Sequence, residues 1–329
     1  MLGQVSYEKH GGQSEVESRP GGEHARSRAR RSRTAAWRVP AARTLPCRGS
    51  SSRAHRTWRS LMGKVVLVTA ASTELGAATA TALAGAGHTA YAGIGPSPGI
   101  PVAGLAELEK QALLPDRRLR PLALDVADQR SVSAAVREIT AECGRIDVVV
   151  HGTGPVPRGP VECFTPYQLA QIYDAHVLTA QRVNRAVLPQ MRERRDGLLV
   201  WMLPPADRAY EPSYLALHSE AVMLIDHLAV SYARELAGFG IEVCTIVSRA
   251  CATDGGGPAG LVRPDDSETA WAYDGQYPGL AGRVDGALAQ QVGTRMDVVR
   301  AVEAVTSAVD SPKGNRPPRI IAARPSDRA

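Results

Sequence analysis

Two histidines and one tyrosine are the side chains of this sequence best suited to proton transfer. Tyr214 precedes His218 by four residues, and His176 lies in an earlier segment. Imidazole titrates near neutral pH and is the commonest general base in proteins. Four residues make about one helical turn, so in a helix Tyr214 and His218 would share a face. The pattern indicates acid–base chemistry, and the alternative is that both histidines only satisfy local hydrogen bonds.

Cysteine and metal chemistry find little support in the sequence. The cysteines are odd in number, widely spaced and without a C-x-x-C pair; they are Cys47, Cys143, Cys163, Cys244 and Cys251. Two histidines without a neighbouring carboxylate are a poor metal ligand set. We therefore expect no metal and no disulfide framework, and a reduced, cytoplasmic location fits best.

Alternating strands and helices must position the candidate residues. Short apolar runs predict strands over 64–69, 88–93, 119–124, 146–150, 198–202, 241–247 and 319–322. Helical patterns lie between them, over 74–86, 105–114, 131–143, 165–194, 212–238 and 296–309. Continuous apolar strands separated by helices predict an α/β fold with a doubly wound parallel sheet of about seven strands. Ligands of such sheets bind at the carboxyl ends of the strands.

The chain divides into a basic extension, 1–61, and a single domain, 62–329. The extension carries 13 basic and four acidic side chains, a net charge of +9, so the domain holds −3 of the total of +6. Its Arg- and Ser-rich composition predicts disorder. A transit peptide, a twin-arginine signal and a nucleic-acid arm are alternatives. We favour a fourth interpretation, in which translation begins at Met62 and the extension is upstream sequence.

The domain itself shows no feature of a membrane or nucleic-acid protein. No apolar run approaches the roughly 20 residues that a membrane helix needs. A mildly acidic body does not suit DNA binding. The segment 251–293 is rich in Gly, Pro and Asp, and we predict an irregular lid or substrate loop there.

Several local sequences, in order, resemble the short-chain dehydrogenase/reductase family across 62–329. The run Val65–Gly76 is similar to that family's first strand and Thr-Gly-x-x-x-Gly-x-Gly turn. Leu124-Asp125-Val126 resembles its adenine-contacting Asp-Val, and 146–154 resembles its fourth strand with Asn-Asn-Ala-Gly. The stretch 229–243 resembles the sequence that follows its catalytic helix. The resemblance implies a Rossmann-like fold, NAD(P) as cofactor and a dimer formed through 165–194 and 212–238.

The family's catalytic residues are replaced at the matching positions. Its Tyr falls on His218, the Lys four residues later falls on Val222, and its Asn falls on His176. In the family the Lys lowers the pKa of the Tyr, so that the phenol can pass a proton. The four lysines are Lys9, Lys64, Lys110 and Lys313, so realignment restores no pair. Where the family has a catalytic Ser after the fifth strand, this sequence has Leu203-Pro204-Pro205. The resemblance therefore implies a divergent member without the Tyr-x-x-x-Lys pair.

The cofactor positions are altered as well. The resemblance assigns NAD(P) contacts to Thr69, Ala70, Glu74, Gly76, Asp125, Val126, Gly152 and Gly154. Ala70 and Glu74 replace two glycines that let backbone approach the pyrophosphate at a helix N-terminus. We expect Glu74 to act as a built-in substitute for the phosphate charge, which makes NAD(P) binding doubtful. No residue after the second strand indicates a preference between NAD and NADP.

Three functions remain open at this point. The first is a degenerate scaffold that lacks standard redox activity and forms a homo-oligomer. The second is a non-redox isomerase, cyclase or dehydratase using His218 and His176. The third is a reductase with His218 or Tyr214 as an unusual proton donor. The sequence names no substrate.

Overall fold

The computed structural model describes residues 63–95, 118–152, 154–205, 214–252, 261–291 and 294–322. The predicted disorder of 1–61 and the predicted helix over 105–114 lie outside these residues. In the described part of the chain, no helix is both long enough and apolar enough to cross a membrane.

Among the described residues, seven parallel strands form the main sheet, and two further short strands form a small ribbon. In chain order they are β1 (Val65–Val68), β2 (Thr89–Ile94), β3 (Leu119–Ala123), β4 (Val148–His151), β5 (Val156–Pro157), β6 (Gly197–Leu203), β7 (Ile241–Val247), β8 (Leu261–Val262) and β9 (Arg319–Ile321). The main sheet has the order β3-β2-β1-β4-β6-β7-β9, and β5 pairs with β8. The doubly wound, seven-stranded prediction is confirmed. The strand order reverses between β1 and β4, which is where such folds bind ligands.

Helices cover both faces of this sheet because its central strands are apolar on both sides. They are α1 (Glu74–Gly85), α2 (Gln129–Cys143), α3 (Pro166–Tyr173), α4 (Thr179–Arg194), α5 (Ala216–Leu236), α6 (Ser267–Gln276), α7 (Leu280–Gln291) and α8 (Arg295–Asp310). Helices α1 and α8 pack into one buried apolar cluster, and α2, α4 and α5 pack into another. The two clusters hold the strand ends, and with them the site, in fixed positions.

Two predicted helices differ in detail from the structure. The predicted helix over 165–194 is interrupted by a π-helical turn, Asp174–Leu178, between α3 and α4. A π turn inserts one residue into the helical ladder, and such turns are frequent at functional sites. The predicted helix over 212–238 begins only at Ala216 among the described residues, so Tyr214 precedes it.

The prediction of an irregular segment over 251–293 is wrong for much of its length. Strand β8 and helices α6 and α7 lie within it. Asp266 begins α6 as an N-cap by accepting a hydrogen bond from Thr269 N at 3.0 Å. The Gly- and Pro-rich composition hid this order, because both helices are short and α6 buries no residue.

Candidate functional site

The π-helical turn places His176 in the interior. Its side chain is buried, and Nε2 donates to the carbonyl oxygen of Pro155 at 2.7 Å. Its ring lies against Gly154, where an added Cβ would be 3.0 Å from three ring atoms. Because Pro155 offers only an acceptor, Nε2 must carry the proton, so Nδ1 holds a lone pair. Nδ1 is buried and has no hydrogen-bond partner among the described residues.

Helix α5 brings His218 next to His176. The two ring centroids are 6.0 Å apart, and the ring planes meet at 65°. Burial, and secondarily the charge of a protonated His176, lower the pKa of His218 to about 4. Burial also lowers the pKa of His176, against the opposing effect of its bond to Pro155. Both imidazoles are therefore neutral at pH 7, and Nδ1 of His218 likewise has no described partner.

Tyr214 does not share a helix face with His218, contrary to the prediction. It precedes α5 with a φ of 73°, in the left-handed region that a side chain rarely adopts. It packs against the buried apolar cluster of Val156, Leu215 and Val284, which joins β5 to α7. Burial and the nearby Asp274 raise the pKa of its hydroxyl. Tyr214 thus belongs to the contact between β5 and α7.

The position one turn after His218 is apolar and closed to solvent. Val222 is 3% exposed on α5, so no ammonium group accompanies His218 at this point. At the end of β6, Leu203 and the following Pro204 are buried. The described residues at the Tyr, Lys and Ser positions of the family resemblance therefore offer one neutral imidazole and apolar groups.

The turn between β1 and α1 keeps a tightly packed backbone. Thr73 caps α1 by accepting a hydrogen bond from Gly76 N at 3.1 Å. A Cβ on Gly76 would lie 1.9 Å from the carbonyl oxygen of Ala70, so only glycine fits there. A Cβ on Gly152 would lie 2.3 Å from the Ala70 methyl. Thr69 links the two strands by accepting from Gly152 N at 3.4 Å. Packing alone accounts for Gly76 and Gly152.

Two acidic residues flank this turn. Glu74 is exposed in the first turn of α1, where a carboxylate stabilises the helix by roughly 0.3–1 kcal/mol. Asp125 accepts a hydrogen bond from Ala127 N at 2.9 Å and so shapes its own turn after β3. Both carboxylates have structural roles that need no cofactor.

A cavity of about 50 Å³ lies in the crevice between β1 and β4. It is lined by Thr69, Ala70, Val126, His151, Gly152, Ala175, Thr179 and Ala180. Pockets for organic ligands typically measure roughly 300–1,000 Å³, so this one suits a few water molecules. The Ala70 methyl narrows it, and Glu74 adds negative charge at the helix end where a pyrophosphate would bind. The residues of this turn therefore fit a dinucleotide poorly.

A buried histidine lies beside this cavity. His151, at the end of β4, is 2% exposed and bonds through Nε2 to Asn184 Oδ1 at 2.9 Å. Its ring lies 4.8 Å from that of Trp201. Burial lowers the pKa of His151 to about 4. The position of His151 at a strand end was visible in the sequence, but its partner on α4 was not.

A second missed feature joins β5 to α7. Arg158 is 6% exposed, pairs with Asp285 Oδ2 at 2.6 Å and donates to the carbonyl oxygen of Ala281 at 2.5 Å. The pair fixes α7 beside Tyr214. No spacing rule connects residues so far apart in sequence. Among the described residues, no group of three or more His, Cys, Asp and Glu side chains is arranged to hold a metal ion.

Comparison with known proteins places this architecture in a family. The short chain dehydrogenase family is matched over residues 64–259, more than half of the chain. A 3-oxoacyl-[acyl-carrier-protein] reductase FabG of Vibrio harveyi is 28% identical over 202 residues, which are 59% of this chain and 76% of that protein. The chain belongs to the short-chain dehydrogenase/reductase family.

Solved structures agree with the assignment. A short-chain dehydrogenase from Streptomyces avermitilis is 26% identical with a TM-score of 0.63, covering 79% of this chain and 87% of that one. A metagenomic short-chain oxidoreductase in complex with NADP shares the fold at 17% identity, with a TM-score of 0.55 and coverage of 80% and 97%. The chain spans 58% of the first curated relative that it matches, an oxidoreductase of Botryotinia fuckeliana, at 29% identity over 49% of this chain.

Proposed function

We propose that this family member does not perform the standard NAD(P)-dependent interconversion of carbonyl and alcohol. The observation that carries the proposal is Val222, buried on α5 one turn after His218. A proton donor that works with hydride transfer must be charged or activated by a neighbour. His218 is held neutral instead, with its pKa near 4, and Val222 cannot donate a hydrogen bond.

The same proposal includes weak binding of the dinucleotide. Ala70 closes against Gly152, and Glu74 places a carboxylate at the start of α1. When bound in this family fold, a nicotinamide cofactor supplies the hydride, and the protein supplies position and protons. Thr69, Asp125 and Gly152 would be its nearest contacts in this chain. Neither the turn nor the histidines prepare a site for it.

Titration of the purified chain with NADH and NADPH, followed by nicotinamide fluorescence, tests the proposal. We expect no saturation below millimolar concentration and no consumption of NADPH with a panel of ketones and aldehydes. Micromolar binding with turnover would overturn it in favour of a reductase with His218 or Tyr214 as donor. Binding without turnover would leave the catalytic part of the proposal standing and remove the binding part.

A second candidate is non-redox acid–base catalysis by His176 and His218. It is favoured by one arrangement: two neutral imidazoles 6.0 Å apart, each with a buried Nδ1 that has no described partner. The bond to Pro155 fixes the tautomer of His176 and leaves its Nδ1 as a base. A carbon acid or hydroxyl group that reaches both rings could lose a proton to one and receive a proton from the other.

Deuterium exchange tests the acid–base candidate without knowledge of the natural substrate. The chain is incubated in D2O with a panel of α-hydroxy ketones, and exchange at carbon is followed by NMR. We expect any exchange to be lost in His176→Ala and in His218→Ala and kept in His227→Ala, an exposed histidine of the same helix. Exchange that survives both pocket substitutions would contradict this candidate.

A further inference from the structure

Helix α6 has no buried residue along its ten positions, yet it is held firmly to the domain. Asp266 caps its start, and the Tyr273 hydroxyl donates to Glu162 Oε2 at 2.8 Å. The Asp266 N–H also donates to the Cys163 carbonyl oxygen at 3.3 Å. Isolated helices shorter than about 12–15 residues are marginal in water. These contacts therefore fix α6 in place and turn one of its sides to solvent.

The outward side carries an exposed tryptophan between two carboxylates. Trp271 lies two residues before Tyr273, about 200° around the helix, so it points away from the domain. It is 81% exposed. Glu268 and Asp274 stand three residues before and after it, both exposed, at the spacing that makes helix neighbours. Neither carboxylate forms an ion pair with another described residue.

This combination has a specific chemical preference. A tryptophan ring is the best aromatic acceptor for a cation placed over its face, and arginine is the cation that most often uses it. A carboxylate on either side can take the N–H groups of the planar guanidinium. Glu162, Asp265 and Asp266, at the base of the helix, add further negative charge. The surface is thus suited to a cation and unsuited to an anion.

We propose that the face of α6 formed by Glu268, Trp271 and Asp274 (the α6 face) binds an arginine-rich segment of a partner protein. A second copy of this chain fits less well. A twofold contact centred on Trp271 would place the same carboxylates opposite one another, and like charges in contact are destabilising. Because the helix is already fixed, binding need not order it first.

The test is the binding of a fluorescein-labelled hexa-arginine peptide to the full-length chain, followed by anisotropy at low and at high salt. We expect saturable binding that weakens as salt rises. Trp271→Ala should weaken it roughly two- to five-fold, the range of an exposed cation–π contact. The pair Glu268→Gln and Asp274→Asn should weaken it by a similar factor. A hexa-glutamate peptide should not bind.

Tyr167→Ala is the matched control. Tyr167 is 71% exposed on α3, and the next turn of that helix holds the uncharged Ala170 and Gln171. We expect this substitution to leave the affinity unchanged. Equal weakening by Tyr167→Ala and Trp271→Ala would overturn the proposal, as would no effect of Trp271→Ala. Sedimentation that shows a dimer lost in Trp271→Ala would assign the α6 face to a second copy instead. Far-UV circular dichroism verifies that each variant is folded.

Discussion

The turn after β1 and the pair formed by His176 and His218 (the histidine pocket) lie at the same edge of the sheet. Different features of the chain fix the residues of these two regions. The turn keeps a tightly packed backbone, with Gly76 in contact with Ala70 and Thr73 as the helix cap. In the histidine pocket, two neutral imidazoles stand where the resemblance places Tyr and Asn. The first region is fixed by backbone packing, and the second by burial of side chains.

The difference separates what a fold requires from what a reaction requires. A carbonyl oxygen 1.9 Å from a hypothetical Cβ excludes every residue except glycine at Gly76, whether or not a cofactor binds. Nothing of that kind fixes the identity of residue 218 or 222. Chemistry can therefore be lost from α5 while the turn survives. Retention of the turn by itself says nothing about nucleotide binding.

Substitutions of two glycines should show this contrast most strongly. Gly76→Ala places a methyl group against the backbone of Ala70, which cannot move without disturbing β1. We expect a loss of about 3 kcal/mol in the free energy of unfolding, measured by urea denaturation. Gly154→Ala meets only the His176 ring at 3.0 Å, and a side chain can shift, so its loss should be well under half as large.

Gly85→Ala serves as the control for both. It lies in the last turn of α1, and a Cβ there would meet nothing within 4 Å. Alanine should stabilise this helix by up to about 1 kcal/mol. If Gly154→Ala proves as costly as Gly76→Ala, the pocket is as rigid as the turn and the contrast is broken.

Acidification should act on the pocket and on His151 rather than on the turn. The pKa values of His218 and His151 are lowered to about 4, against about 6.5 in the unfolded chain. As pH falls below 6.5 the unfolded imidazoles take up protons while the folded ones do not. The contribution of these two histidines to the free energy of unfolding is therefore fully present above pH 6.5, falls between pH 6.5 and 4, and levels off below pH 4. Each histidine contributes about 3 kcal/mol to this loss.

Unfolding by urea at a series of pH values checks this expectation. His218→Gln should flatten the dependence of the unfolding free energy on pH between 6.5 and 4. His151→Gln should have a similar effect, and the two together should flatten it further. His227→Gln, at an exposed position of α5, should leave the slope unchanged. A slope that is the same in all three variants would mean that the histidines are hydrated in the folded chain.

The sheet was predictable from the sequence because its strands repeat a simple composition. The central strands are short apolar runs, and all seven predicted strands lie within about two residues of their observed bounds. The π turn at His176 was not predictable, since one inserted residue leaves the apolar pattern of a helix nearly unchanged. Helix α6 was not predicted because it buries no residue and so shows no apolar pattern.

The site was only partly predictable for a related reason. Family resemblance located His176 and His218, and the structure brings them together. The four-residue spacing from His218 also suggested Tyr214, on the assumption that α5 extended further towards its N-terminus. The positive φ of Tyr214 contradicts that assumption, and a tyrosine in the sequence does not predict such a backbone conformation. Asn184 and Arg158 were missed because their partners come from distant strands and helices.

The smallest expected effect concerns Glu74. Its substitution tests whether negative charge or the shape of the turn limits the binding of a dinucleotide. Two like charges about 4–6 Å apart repel by roughly 1–4 kcal/mol at intermediate dielectric, and solvent at this exposed position brings the effect to the lower end. Glu74→Gln should therefore strengthen NADPH binding about five- to ten-fold, measured by nicotinamide fluorescence.

Comparison with Ala70→Gly separates the two causes. That substitution widens the crevice beside Gly152 and leaves the charge in place. If Glu74→Gln tightens binding and Ala70→Gly does not, charge excludes the dinucleotide, and the backbone of the turn remains competent to hold it. If only Ala70→Gly tightens binding, the turn has changed in shape, and its likeness to the family is confined to packing. If neither does, Glu74 is no substitute for a phosphate, and its role is to stabilise the start of α1.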